Sequence, residues 1–162
     1  MRLLRTIRFD SSDDRVYERA AEGGEWAVTG AFEFADLDAV SLVGKTRQAF
    51  ANGFLGVMSF GRSTFVTVAE AGEADRDEIV YRLALHFVDR YGAPDVEHAM
   101  PAAEEEVAFA ADLAAGVPIN TVLTLRRVRD DSGEIKEELR RIRPPSGEPL
   151  HARIWGSEPD DA

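Results

Sequence analysis

The sequence predicts an α+β fold with a mostly antiparallel sheet built from hairpins, packed with about three to four helices on one main side. Two observations lead to this prediction. Short segments with alternating apolar residues flank glycine-containing loops, and longer segments between them carry the apolar spacing of helices. The 162 residues, 44% hydrophobic and 30% charged, have the size and composition of one ordinary domain. We therefore expect a single domain over residues 1–156 and an acidic tail over residues 157–162.

The first third of the chain is predicted to alternate strands and short helices. Residues 2–9 form a strand, which we place near a sheet edge because its arginines are difficult to bury. Ser11 or Ser12 caps a short helix that runs to about residue 21. Residues 26–34 form the next strand, with four apolar side chains on one face at a spacing of two: Trp26, Val28, Phe32 and Phe34.

A helix and a hairpin are predicted next. Asp36 or Asp38 caps a helix whose later part covers residues 45–52, and Gly53 ends it in the left-handed conformation. Residues 54–58 and 64–68 then pair as the two strands of a hairpin around a Gly-containing loop.

The apolar spacing is clearest over residues 75–91, which predict a helix. Its buried face consists of Ile79, Val80, Leu83, Ala84, Phe87, Val88 and Tyr91. A further helix is predicted to begin at Pro101, because proline suits the first helical position, and to end before Gly116.

The pairing register of the last hairpin can be derived from its loop and its charges. If residues 131–133 form a three-residue loop with Gly133 in the bulge position, Leu125 faces Leu139 and Arg127 faces Glu137. A two-residue loop would instead place Arg129 opposite Lys136, which is repulsive. We predict the three-residue loop. Residues 150–155 are a candidate for one more short strand.

Composition excludes several classes of function. Thirty acidic residues against nineteen basic ones give a net charge of −11, which disfavours general nucleic-acid binding. The absence of cysteine excludes disulfides, thiolate nucleophiles and Cys-ligated metals. Arg5 and Arg8 interrupt the apolar residues of the start, and no apolar run is long enough to span a membrane. We expect a cytoplasmic protein without membrane association.

Residues 39–46 match a relaxed phosphate-loop pattern that ends in Gly44-Lys45-Thr46. In such a loop, Lys45 would contact phosphates and Thr46 would bind magnesium. The apolar interior of the segment and the early end of the preceding strand oppose this interpretation. The alternative is a helix through Gly44 with Lys45 in solvent.

The three histidines do not form a recognisable site. His86 lies at the border of an apolar helix face, and His98 lies beside Glu97 in a predicted loop. No two histidines have ligand spacing on one helix, so the sequence predicts neither a metal site nor a cofactor. Catalytic residues cannot be assigned, because there is no nucleophile elbow and carboxylates cannot be paired from sequence.

Four residues are predicted to contact a ligand. Arg62, in the loop of the predicted hairpin, can hold a carboxylate or phosphate through two hydrogen bonds. Arg47 and Asn52 near a helix end are further polar anchors, and Trp26 can line a pocket between sheet and helix. For each residue the alternative is ordinary packing or solvation.

Several segments resemble a small uncharacterised family of proteobacterial proteins. These segments are residues 5–10, 24–28, 44–56 and 59–62, and the likeness covers mainly the first 70 residues. The resemblance implies a bacterial, single-domain protein of unknown function, and it implies no reaction or cofactor.

The favoured hypothesis is a non-enzymatic binding or accessory protein that recognises a partner protein or a small anionic ligand. A homodimer is one form that such a partner can take. The alternatives are a small enzyme that uses carboxylate and histidine acid–base chemistry, and a nucleotide-binding protein at Lys45 and Thr46. Net acidity does not exclude a local anion site, because the first strand and the last hairpin are basic.

Overall fold

The computed structural model describes residues 1–9, 11–38 and 40–142. Within these residues, seven strands form one curled antiparallel sheet in the order β4-β3-β2-β1-β5-β6-β7, which confirms the α+β prediction. The strands are β1 (Arg2–Ile7), β2 (Trp26–Val28), β3 (Phe54–Gly56), β4 (Arg62–Ser63), β5 (Phe65–Glu70), β6 (Val122–Arg129) and β7 (Ile135–Ile142). The predicted strand at 150–155 and the predicted tail lie outside the described residues.

In the described part of the chain, four α-helices and one 3₁₀-helix accompany the sheet. They are α1 (Asp13–Val16), the 3₁₀-helix (Ala31–Phe34), α2 (Gly44–Asn52), α3 (Glu73–Arg90) and α4 (Val96–Ala114). The core lies between the sheet and the pair α3 and α4, where Leu4, Val66, Leu83 and Ala103 are fully buried. Within the described residues, no helix is long and apolar enough to cross a membrane.

The prediction for α3 is confirmed in type and position. Five of its predicted core residues are buried: Ile79, Val80, Leu83, Ala84 and Phe87. At its start the Asp75 carboxylate accepts a hydrogen bond of 2.9 Å from the Gly72 N–H. At its end Gly92 takes a left-handed conformation, with φ of 78°, and the Ala93 N–H returns to the Phe87 carbonyl.

The predicted register of the last hairpin is confirmed. Leu125 pairs with Leu139 and Arg127 pairs with Glu137. Gly133 has φ of 88°, as the three-residue loop requires. Lys136 lies opposite Val128, so the repulsive pairing with Arg129 does not occur.

The prediction that the first strand lies near an edge is wrong. β1 is the central strand and pairs with both β2 and β5. Its arginines leave the core by reaching local acceptors. Arg2 donates to the Val117 carbonyl at 2.7 Å, and the Arg5 guanidinium lies 3.9 Å from the centroid of the Trp26 ring. A charged side chain in a sheet therefore does not require an edge when a carbonyl or an aromatic ring is within reach.

The predicted long strand at 26–34 is also wrong. β2 ends at Val28, and Gly30 then turns the chain with φ of 77° into the 3₁₀-helix. A Cβ atom at position 30 would lie 2.6 Å from the Cβ of Leu55 and 2.7 Å from Nη1 of Arg62. Only glycine fits at this position. The turn at Gly30 takes the chain out of the sheet, so Phe32 and Phe34 belong to the 3₁₀-helix instead of the predicted strand.

The predicted hairpin at 54–68 is divided between two partners. β3 pairs with the two-residue strand β4, whereas β5 crosses to β1 and β6. The helix bounds also differ from the prediction. α1 ends at Val16 rather than near residue 21, and Gly53 is extended, with φ of −94°, instead of left-handed.

α4 begins five residues before the predicted start at Pro101. Asp95 caps it by accepting a hydrogen bond of 2.8 Å from the backbone N–H of His98. Pro101 lies in the second turn, where its missing N–H removes one helical hydrogen bond. The side-chain cap thus determines where the helix begins, and His98 belongs to the helix rather than to a loop.

Candidate ligand-binding cleft around Phe60 and His86

The 3₁₀-helix positions a carboxylate between the sheet and α3. Glu33 lies at its middle, flanked by Phe32 and Phe34. The Phe32 ring packs edge-on against Phe87 of α3, with centroids 4.9 Å apart. Phe34 is buried and packs edge-on against Phe50 of α2, with centroids 5.4 Å apart. These two contacts fix the orientation of Glu33.

Two buried arginines cross beneath this helix. Arg62 of β4 and Arg127 of β6 both donate to the carbonyls of Thr29 and Gly53. Arg127 also donates to the Phe50 carbonyl at 2.6 Å. The carbonyls at the end of α2 have no partner within the helix, and the guanidinium groups supply one.

Each of these arginines also has a carboxylate. Nη2 of Arg62 lies 2.5 Å from Oε1 of Glu33, and Nε of Arg127 lies 2.9 Å from Oε2 of Glu137. Burial lowers the pKa of Arg127 to about 10, although the charge of Glu137 opposes the shift. Arg127 therefore remains charged at neutral pH, and each of the two guanidinium groups is held in place by a carboxylate.

Glu33 joins Arg62 to His86. Its second oxygen, Oε2, lies 3.1 Å from Nε2 of His86. Burial alone would raise the pKa of Glu33, but the hydrogen bonds from His86 and Arg62 and the charge of Arg62 hold the pKa below its usual range. Burial, followed by the charge of Glu33, raises the pKa of Tyr91. Glu33 is therefore an ionised acceptor.

The ionised carboxylate selects the tautomer of His86. Since Glu33 can only accept, Nε2 of His86 carries the proton, and Nδ1 is an acceptor in the neutral ring. The Phe60 ring lies flat on the imidazole, with centroids 3.8 Å apart and 5° between the planes. The side chain of His86 is 12% exposed, so the ring is fixed on one face and reaches solvent at its edge.

Phe60 has an unusual backbone conformation. Its φ is 57°, in the left-handed region that bulky residues rarely adopt. The loop is held by Glu25, which accepts hydrogen bonds from the backbone N–H groups of Met58 and Ser59 and from the Ser59 hydroxyl. The hydrogen bonds to the buried Glu25 carboxylate therefore hold the loop in which Phe60 has this strained conformation. Strained residues that are held in this way are found at binding sites.

Two cavities meet at Phe60. The first, named here the Lys45 cavity, has a volume of about 270 Å³ and is lined by Arg19, Glu33, Lys45, Thr46, Phe60 and Arg62, among others. The second, the Arg90 cavity, has a volume of about 310 Å³ and is lined by Arg19, Phe60, Arg82, His86, Asp89 and Arg90, among others.

Cationic side chains outnumber carboxylates around both cavities. Lys45 and Arg90 form no ion pair within the described part of the chain, and neither does Arg19. Arg19 lines both cavities, and its Nη1 donates to the Ser59 carbonyl at 3.1 Å. The arrangement can bind an anion beside Arg19, which lines both cavities.

A third cavity is lined by Phe32 and by residues of α3 and α4. This cavity, named here the Glu106 cavity, has a volume of about 420 Å³, and its lining also includes Phe87, Tyr91, Glu105 and Glu106. Burial, followed by the charges of Glu137 and Glu105, raises the pKa of Glu106 to about 7. The described residues that line it include no lysine or arginine, which distinguishes it from the other two cavities.

The four residues predicted to contact a ligand are not brought together. Arg62 lines the Lys45 cavity, but it is buried in β4 rather than presented in a loop. Arg47 is exposed on α2, and the Asn52 side chain donates to the Leu125 carbonyl at 3.1 Å. Trp26 lies under Arg5. Their roles in ligand binding stay predictions.

The geometry around Lys45 and Thr46 differs from a phosphate loop. These residues form the first turn of α2, with Lys45 exposed, but the preceding strand β2 ends sixteen residues before the helix. Every named strand pair is antiparallel, so no parallel strand of the described residues leads into the turn. Among the described residues, no group of three His, Asp or Glu side chains is placed to hold a metal ion.

A comparison with models of protein families matches residues 1–157 to a family of unknown function, DUF6505. The chain belongs to the DUF6505 family. The match extends well beyond the first 70 residues on which the sequence resemblance rests, and it confirms membership of a family of unknown function. Comparisons with curated proteins and with solved structures find no match.

The sequence singles out three residues that line the cleft of this DUF6505 protein, Arg62, Lys45 and Thr46, but it does not indicate the Glu33–His86 pair. Glu33 and His86 are 53 residues apart, and the apolar alternation over residues 26–34 predicts a strand at Glu33. One available signal was the position of His86 at the border of an apolar helix face. A histidine there can turn either to solvent or to a buried acceptor, and periodicity does not distinguish the two.

Proposed function

We propose that this DUF6505 protein is a non-enzymatic binding protein for a small anion, a carboxylate or a phosphate, which it takes up in the two cavities that meet at Phe60. The observation that carries the proposal is the position of Arg19. It lines both cavities and is anchored to the loop that presents Phe60, while no carboxylate of the described chain neutralises it.

Local charge supports the proposal. The chain has a net charge of −11, yet its unpaired cations Arg19, Lys45 and Arg90 face the same two cavities. Because an anion is repelled by most of the surface, this cluster would be the favourable region for it. A guanidinium anchored by one N–H retains others for a bidentate contact.

Rigidity and size support a small ligand. The Phe60–His86 stack, the Glu33 carboxylate and Arg62 form a wall whose members already hold one another. A wall that is ordered before binding costs little conformational entropy on binding. The cavities, of about 270 and 310 Å³, are at the lower end of ligand sites, which favours a small acid over a nucleotide.

The test is a thermal-shift series at constant ionic strength with inorganic phosphate, citrate and succinate, and with glucose as a neutral control. At 10 mM, at least one anion is expected to raise the melting temperature by about 3 °C or more, because ligand binding stabilises only the folded state. Arg19→Gln should remove the shift. Arg15→Gln is the matched control, since Arg15 is exposed on α1 and lines neither cavity.

The same series separates the cleft from the residues predicted by sequence. If Arg47 were the anchor, Arg47→Gln would abolish the shift and Arg19→Gln would not. Equal shifts in all variants, or no shift with any anion, would overturn the proposal.

A second candidate function, acid–base catalysis, is favoured by the Glu33–His86 pair. A carboxylate that fixes one imidazole nitrogen leaves the other as a proton acceptor, as in enzymes with a histidine base. The two functions are distinguished by incubating the protein with each bound anion and following the anion by NMR. Recovery of unchanged ligand supports the binding protein, and conversion supports the enzyme.

The proposal takes the protein to act in the bacterial cytoplasm, the setting that the cysteine-free sequence and the resemblance favour. A ligand that co-purifies from the native host would identify the anion directly.

A further inference from the structure

The last strand is an open edge of the described sheet. β7 pairs with β6 on one side, and no described strand pairs with its other side. The edge is eight residues long, whereas the opposite edge, β4, has two residues and is bridged by Ala20. A long unpaired edge is a template for another strand.

The hairpin shows which backbone groups face the open edge. The Asp130 N–H donates to the Glu134 carbonyl at 2.9 Å, so these two residues form a hydrogen-bonded pair. Hydrogen-bonded pairs alternate with non-hydrogen-bonded pairs along an antiparallel ladder. The even-numbered residues of β7 therefore bond to β6. The odd-numbered residues direct their N–H and C=O groups outward, and these are Ile135, Glu137, Leu139 and Arg141.

The charges of β7 are arranged symmetrically about Leu139. Two glutamates, Glu137 and Glu138, precede it, and two arginines, Arg140 and Arg141, follow it. In the described chain Glu138, Arg140 and Arg141 form no ion pair. A strand with this pattern is complementary to itself when it is reversed.

Only one register uses this complementarity. Antiparallel pairing across the edge must place odd residues opposite odd residues, and centring it on Leu139 puts Glu138 opposite Arg140 and Glu137 opposite Arg141 of the second copy. If the centre lies instead at position 137, 138, 140 or 141, the glutamate or arginine at that position faces the same residue of the second copy. Like charges directly opposite destabilise a strand pair, whereas opposite charges stabilise it.

We propose that β7 docks a second copy of this chain in antiparallel register, with a twofold axis through Leu139. The two sheets then join into one continuous sheet, in which Glu138 and Arg140 form two Glu–Arg pairs across the axis. Glu137, which already binds Arg127, lies opposite Arg141. Such an interface is isologous, because Glu138 of each copy faces Arg140 of the other. Charges on an edge strand can also serve only to prevent pairing, and the experiment distinguishes the two roles.

The test uses sedimentation equilibrium of the full chain and two charge variants, Glu138→Arg and Arg140→Glu. The unmodified chain is expected to dimerise at micromolar to millimolar concentration. Each variant alone places like charges across the axis and should weaken self-association by about tenfold or more. In an equal mixture, the variants should form a heterodimer at least as readily as the unmodified chain dimerises. A merely destabilised hairpin cannot produce this rescue.

A cysteine scan keeps the proposal testable if a charge variant folds poorly. The chain has no cysteine, so Leu139→Cys introduces one thiol at the axis. Facing residues in a hydrogen-bonded pair have Cα atoms about 5.5 Å apart, within disulfide range. Leu139→Cys should form a covalent dimer on mild oxidation. Arg141→Cys, two residues from the axis, should not.

Three results would overturn the proposal. The first is a monomer at every concentration, and the second is the absence of rescue in the mixture of folded variants. The third is equal cross-linking through positions 139 and 141.

Discussion

Arg62 and Arg127 show how single residues can close the end of a helix. Each guanidinium donates to the carbonyls of Thr29 and Gly53, and each is neutralised by one glutamate. The Phe34 ring lies beside both, 4.6 Å from Cζ of Arg62 and 5.3 Å from Cζ of Arg127. The contact between Arg62 and Glu33 also orients Glu33 toward His86. The stability of the fold and the geometry of the cleft therefore both depend on Arg62.

Glu33 makes the stability of the protein depend on pH. Its folded-state pKa is depressed, so its contribution is present above the ordinary glutamate value near 4.3 and is lost as the pH falls through the folded value. At pH 7, Glu33→Gln should lower the free energy of unfolding by about 1–3 kcal/mol. Urea titrations should show this difference shrinking below about pH 4. A pH-independent difference would contradict the assigned ion pair.

Gly30 is required for two separate reasons, its positive φ and the close approach of Leu55 and Arg62. Gly24 has a similar φ of 80° but open space around its Cα, so it provides a matched control. Gly24→Ala should cost about 1 kcal/mol and Gly30→Ala about 3 kcal/mol or more, since the second also forces a steric clash. Chemical denaturation of both variants measures the difference. Equal costs would contradict the close packing at Gly30.

Among the elements, α4 shows that a cap outweighs a proline. Asp95→Ala removes the acceptor of the His98 N–H and should cost about 1 kcal/mol. Asp112→Ala, in the last turn of the same helix, should be neutral or slightly stabilising, because a negative charge there opposes the helix dipole. Thermal unfolding of both variants tests this contrast. A loss of similar size in both would contradict a specific cap at Asp95.

Elements whose structure is determined by residues nearby in the sequence could be predicted. Elements whose structure depends on residues far along the chain could not. The β6–β7 register follows from one loop and from facing charges within twenty residues, and α3 follows from its own periodicity. The central position of β1 depends on β5, about sixty residues away, and on acceptors for its arginines. The end of β2 depends on the space at Gly30, which is set by Leu55 and Arg62. No local pattern carries that information.

On the scale of the whole molecule, the net acidity conceals a local reversal of charge. The chain carries −11 overall, yet Arg19, Lys45 and Arg90 converge on the cleft around Phe60. The sequence predicts a local anion site with Arg62, Arg47 and Asn52 as polar anchors and Trp26 in the pocket lining, and these roles stay predictions. The three converging cations come from α2, α3 and the segment after α1, so only the tertiary fold brings them together.

Isothermal titration at pH 7 with phosphate, citrate and succinate tests the proposed anion site most directly. The unmodified protein should bind at least one anion saturably, with one ligand per chain, and Arg19→Gln should weaken that binding about tenfold or more, because it removes a charge-assisted hydrogen bond. Arg15→Gln should bind like the unmodified protein. Absence of saturable binding, or equal affinity in Arg19→Gln, would contradict an anion site at Phe60.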